Sequence, residues 1–172
     1  MTNFEPVATP RSLATPSDLT EDARNAITRK LNVLLANAYA LYLKTKNYHW
    51  HMVGSHYRDY HLLLDEQASD ILATTDVLAE RVRKLGGTTI RSIGHIARLQ
   101  TLDDDDAEEH TATAMLEQLC ADNRHNTTLL RTAHDVCNDG NDVATASILE
   151  DFIDKSEERV WFLFETINGD AV

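Results

Sequence analysis

Five side chains able to ligate a metal stand at regular steps in the first half of the chain: His49, His61, Asp65, Asp76 and Glu80. The steps are twelve, four, eleven and four residues. Four residues make just over one helical turn, so each four-residue pair shares a helix face. Two imidazoles with three carboxylates suit a borderline or hard transition metal, iron before zinc, because no thiolate belongs to the set. Imidazoles hold a divalent ion without adding charge, and carboxylates stabilise its trivalent form. The chemistry this set suits is capture of a transition-metal cation.

The elements that position these residues follow from the spacing. If residues 56–85 form one helix, Asp65, Asp76 and Glu80 lie roughly 40°, 60° and 100° around from His61. The pairs His61/Asp65 and Asp76/Glu80 are then roughly 16–28 Å apart along the axis, too far to share one ion. Either the helix carries two half-sites, or it meets an antiparallel copy of itself. In a two-fold pairing, His61 and Asp65 of one chain would face Asp76 and Glu80 of the other, giving two identical sites. The axis would pass near Asp70–Ile71, and Ser69 and Ala73 are small enough for a close crossing there. A separate apolar stripe of Leu64, Ala68, Ile71, Leu72, Thr75, Leu78, Ala79 and Val82 predicts the face turned to the subunit's own core.

The rest of the chain reads as further helices. A first helix is expected from about Ser17–Thr20 to His51, with Ile27, Leu31, Leu34, Leu35, Ala38 and Tyr42 as its apolar stripe. Ser17 or Thr20 can cap it, and Ser55 can cap the second helix, which stops at Gly86-Gly87. A connection over 88–102 has room for a short helix around Ser92–Leu99. Asp103–Asp106 suit the start of a third helix reaching Cys137, by the helix dipole. Asn138-Asp139-Gly140 reads as a turn before a fourth helix over about 142–167. The expected fold class is all-α: four long helices with a short extra helix between the second and third. Residues 1–18 read as a flexible tail and 19–168 as one domain.

The motif block 46–87 resembles the Dps family, the mini-ferritins also called DNA-binding proteins from starved cells. The resemblance rests on His49-Trp50, Gly54, His61-x-x-x-Asp65-Glu66, Asp76-x-x-x-Glu80-Arg81 and Leu85-Gly86-Gly87. Asp154-Lys155 and Val160-Trp161 extend it loosely into the last helix. It implies a ferritin-like four-helix bundle and a hollow dodecamer built from two-fold dimers. It implies a ferroxidase whose substrate is Fe2+, oxidised preferably by hydrogen peroxide and more slowly by oxygen, with Fe3+ mineral stored inside. By resemblance, His49, His61 and Asp65 come from one subunit and Asp76 and Glu80 from its partner. Trp50 would quench stray radicals, and Asp142, Glu150 and Asp151 would line a channel that admits iron. His51 and His56 have no counterpart in the family pattern and read as surface residues.

Composition limits the alternatives. The chain has 172 residues and a net charge of −12, which disfavours nonspecific contact with nucleic acid or anionic membranes. A DNA-compacting nucleoid protein is the alternative function. It would use a Lys-rich arm, but Arg11 is the one basic side chain before Asp18. A helical oligomer with a purely structural His/Asp stripe is a third reading, which a gap in the ligand set would favour. No apolar run is long enough for a membrane span, and no signal peptide is recognisable at the N-terminus. Cys120 and Cys137 are seventeen positions apart on one expected helix, too far to pair, so reduced thiols and a cytoplasmic setting are expected. His134-x-x-Cys137 is better read as a helix face with a buried cysteine than as a metal site.

Overall fold

The computed structural model describes residues 10–169, and all its regular elements in that span are helical. They are α1 (Glu21–His51), α2 (Tyr57–Lys84), α3 (Ile93–Leu99), α4 (Ala112–Asp139) and α5 (Val143–Gly169), after a short 3-10 turn at Arg11–Leu13. Thr20 caps α1 by accepting from Ala23 N–H, and Ser92 caps α3 by accepting from His95 N–H.

The helix directions follow from paired contacts. Lys46 meets Asp65 while Asn32 meets Thr88, so α1 and α2 are antiparallel. Lys44 meets Asp122, and Ile27 lies beside Gly140, so α4 also runs against α1. Arg131 pairs with Glu157 and His134 with Glu150, which sets α5 antiparallel to α4. Helices α2 and α4 are therefore parallel, and the crossover from 85 to 111, containing α3, returns the chain to the starting end.

Two apolar clusters fill the bundle. Ile27, Leu31, Leu78, Val82, Leu130 and Leu149 belong to one; Leu41, Leu64, Ile71, Leu116, Leu119 and Leu163 to the other. Between them along α4 and α5 runs a buried polar belt. Thr127 donates to Ser156, and Arg159 donates to Asn123. Near the α1–α4 contact, Lys44 and Asp122 form a buried ion pair at 2.7 Å, with Gln118 also donating to Asp122. Burial pushes the Cys137 thiol up to about 12, as expected of a core cysteine.

Several boundaries differ from the sequence reading. Asp103–Asp106 do not open a helix; α4 starts at Ala112 with Thr111 as its cap. The acids are used otherwise, since Asp105 accepts from Tyr48, His110 and Ala107 N–H. His56, not Ser55, is the residue before α2, and it makes no side-chain cap bond. Asn138 and Asp139 continue α4, and the reversal falls at Gly140 and Asn141, whose φ is 58°. Within the expected tail, Thr15 Oγ1 donates to Arg83 O, and Arg83 donates to Leu13 O. Gly86 is required beneath them. Its φ is +76°, and a Cβ there would meet Thr15 O at 2.8 Å. Residues 1–9 of the expected 1–18 tail lie outside the described residues.

Candidate metal centre

The end of α1 and the start of α2 are joined by residues 52–56, where Gly54 takes a φ of +117°. This tight connection sets His49 against His61. Their rings stack with centroids 3.6 Å apart and 20° between planes. One turn before His61, Tyr57 stacks on its ring at 5.1 Å. His49 is 8% exposed, so the stack closes the inner side of the site.

The hydrogen bonds of the pair fix which nitrogens are free. His49 Nδ1–H donates to the His61 carbonyl at 2.7 Å, and His61 Nδ1–H donates to the His49 carbonyl at 2.9 Å. A carbonyl only accepts, so both Nδ1 atoms must carry the proton. In the neutral rings both Nε2 lone pairs are then open to a metal. Tying back the second nitrogen is how proteins orient metal-binding imidazoles.

Asp65, one turn after His61, brings a carboxylate to the same place. Its Oδ1 is 4.0 Å from His49 Nε2 and accepts from Lys46 Nζ at 2.7 Å. The Lys46 hydrogen bond and charge, with a smaller contribution from both histidines, hold the Asp65 carboxyl below its usual range. Lys46 is the site residue that sequence spacing alone misses. It stands one turn before His49, but its pairing depends on the α1–α2 crossing.

Asp76 and Glu80 stand apart, further along α2 on exposed backbone, with Glu80 paired to Lys84 at 3.4 Å. Among the described residues of one chain, no group of three or more such ligands converges on one ion. The stripe carrying Asp65, Asp76 and Glu80 also carries exposed Leu62 and Leu72. Leu72 was expected in the core. It is 39% exposed and lies roughly 20° from Asp65 and 40° from Asp76 around the helix. Leu62 and Leu72 thus place apolar side chains between the carboxylates on the exposed face of α2.

The other expected residues have distinct settings. Trp50 is 59% exposed, on the outside of α1 beside the histidine stack, so it is not a core aromatic of the subunit. His51 and His56 are exposed; His51 Nδ1–H donates to Asn47 O in its own helix. Behind His49, buried Tyr48 donates to Asp105, which also pairs with His110 at 2.9 Å. Burial, the Asp105 bond and its charge push the Tyr48 phenol up. The Tyr48 and His110 bonds, with Ala107 N–H, pull Asp105 down to about 2. Asp142 is 3% exposed: it caps α5 through Thr145 N–H and accepts from Arg81 at 2.6 Å. Its carboxylate is committed inside the subunit, so the exposed acids at the start of α5 are Glu150 and Asp151. Glu150 pairs with His134 at 3.1 Å.

A four-helix bundle with one long crossover between its second and third long helices defines a ferritin-type architecture. The family model for the ferritin-like domain matches residues 28–170. A low temperature-induced protein of Nostoc sp. is 35% identical over 155 residues, covering 90% of this chain and 87% of that protein. DNA protection during starvation protein 1 of Deinococcus radiodurans is 29% identical over 145 residues, covering 84% and 70%. The structure of DpsC from Streptomyces coelicolor superimposes with a TM-score of 0.88 at 28% identity, covering 97% of this chain and 96% of that one. The chain belongs to the Dps family of ferritin-like proteins.

Proposed function

We propose that this protein is a ferroxidase mini-ferritin that takes Fe2+ as substrate and stores the Fe3+ product inside a hollow shell of twelve subunits. The observation that carries this reading is the reciprocal bonding of His49 and His61, which leaves two Nε2 lone pairs beside the Asp65 carboxylate. His49, His61 and Asp65 of one subunit, with Asp76 and Glu80 of a two-fold partner, complete each site. Exposed Leu62 and Leu72 on the ligand stripe support that pairing.

Neutral imidazoles bind Fe2+ by their free nitrogens, while the carboxylates favour the ferric state. With peroxide as the preferred oxidant, two Fe2+ each give one electron. The O–O bond of one H2O2 breaks, two protons are taken up, and two waters leave. Oxygen serves more slowly. Asp65 exchanges its bond to Lys46 for one to iron. Glu150 and Asp151 are the acids available to an iron-admitting channel, and Trp50 intercepts stray radicals, a role its exposure next to His49 in the chain supports. Among the described residues no helix is long and apolar enough to cross a membrane. A cytoplasmic setting is part of the proposal.

The test is anaerobic Fe2+ titration followed by stoichiometric peroxide, read by stopped-flow absorbance, with size-exclusion chromatography on the same samples. Asp65→Ala and Glu80→Ala should each slow oxidation at least about tenfold while assembly persists, since neither residue lies in the core. His125→Ala, on α4 away from the stack, should oxidise iron normally. Unchanged rates in both carboxylate variants would remove this stripe from the chemistry.

A further inference from the structure

We infer that Tyr57 is a positioning residue of the metal site: the face of its ring supports His61 when that imidazole takes up a cation, and so raises the affinity for divalent metal. The inference rests on the metal-binding role proposed for His49 and His61. Three rings form a column where α1 meets α2. Buried His49 is innermost, His61 lies between, and Tyr57, 45% exposed, is outermost. The two imidazoles are unusually close. Their centroids are 3.6 Å apart, inside the roughly 4.5–7 Å that aromatic pairs prefer. A cation at either Nε2 draws electron density out of the ring that binds it. Once both rings ligate metal, two electron-poor faces are pressed together and oppose each other.

Tyr57 offsets that opposition. It is the first residue of α2 and stands one turn before His61, which brings both side chains to the same helix face. Its ring centroid is 5.1 Å from that of His61, with 30° between planes. A tyrosine ring carries a negative face, and a cation within about 6 Å of its centroid is attracted to it. An imidazole polarised by a bound metal is such a cation. The crossed bonds to the His49 and His61 carbonyls cannot supply this attraction, because they act at Nδ1 in the ring planes and leave the faces untouched. An aliphatic side chain of similar bulk would shield His61 from water and attract nothing. The phenol hydroxyl has no part in the effect, so phenylalanine should serve as well.

Anaerobic Co2+ titration of the assembled full-length protein, followed by the visible absorption of the bound ion, tests this with no oxidation step. Tyr57→Leu should bind Co2+ about two- to fivefold more weakly than wild type, the scale of an exposed cation–π contact. Tyr57→Phe should bind as wild type does. Phenylalanines of increasing ring fluorination, incorporated at position 57, should weaken binding step by step, because fluorine withdraws density from the ring face at nearly constant size. That series keeps the packing and so separates the charge of the face from its shape, even if Tyr57→Leu disturbs the start of α2. Equal Co2+ affinity in wild type and the most fluorinated variant would overturn the inference and leave the metal site standing. A wild-type Co2+ spectrum that His61→Ala leaves unchanged would overturn the metal site and this inference with it.

Discussion

Lys46 Nζ rests 2.7 Å from Asp65 Oδ1, so an internal cation occupies the carboxylate that faces the histidine stack. Metal must compete with it. Lys46→Gln should therefore bind Co2+ or anaerobic Fe2+ more tightly, by roughly two- to fivefold, the scale of an exposed charge pair. Isothermal titration at low and high salt checks this. The gain should shrink as salt rises, because screening weakens the competing pair in the wild type. Equal affinity in both proteins would mean that Lys46 is a bystander.

The proposed division of ligands between subunits predicts complementation. His61→Ala and Asp76→Ala chains, each inactive alone, are mixed and co-refolded. A mixed two-fold dimer then carries one site with both losses and one site with none. Random pairing makes half of the dimers mixed, so about one site in four recovers. Peroxide-driven oxidation by the mixture, against each parent, reads this directly. No recovery would place all the ligands in one chain.

Net charge and the sparse basic content of the N-terminus predict the behaviour toward DNA. At about 0.15 M salt, plasmid DNA should migrate unshifted in the presence of the protein. A strong shift without divalent metal would restore the nucleoid-compacting alternative. Mg2+ added at low salt separates direct contact from metal bridging.

Asp105 gives a stability difference with a defined pH window. Its carboxyl lies near 2 in the folded protein, below the unfolded value of about 3.9. A depressed carboxylate contributes stability above the unfolded value and loses it as pH falls through the folded one. Asp105→Asn should therefore be less stable than wild type at pH 7, by about 1–2 kcal/mol. The gap should narrow below about pH 4 and close near pH 2. Urea denaturation of both proteins across that range measures it. A gap independent of pH would assign the Asp105 contacts to shape and not to charge.

Much of the α1–α2 half was legible because its signals are local. Thr20 is a cap, and Gly86 stops a helix where only a glycine conformation fits. His61 and Asp65 could be grouped because four-residue spacing is a helix face, while His49, on the other helix, joined them through the family resemblance. The misses share another cause. Asp103–Asp106 have the composition of a helix start, but Tyr48 and His110 draw Asp105 into a loop. Leu72 fits the core period and still faces outward, since periodicity cannot say which of two apolar faces meets the subunit and which meets a neighbour. Lys46, Tyr57 and Arg159 owe their roles to side-chain contacts that spacing does not encode.

The crossed bonds of His49 and His61 divide the site by entropy. Both rings lose their rotamer freedom when the chain folds, so capturing an ion does not have to order them again. Immobilising a free side chain costs about 0.5–1.5 kcal/mol, and the histidines have met that cost beforehand. The exposed carboxylates keep more freedom, with Asp65 paired to Lys46 and Glu80 to Lys84 at the surface. A rigid pair that grasps and a mobile set that yields suit a centre whose product must depart. Preorganised imidazoles favour arrival of the divalent ion, and loosely held oxygens leave the trivalent one free to move on.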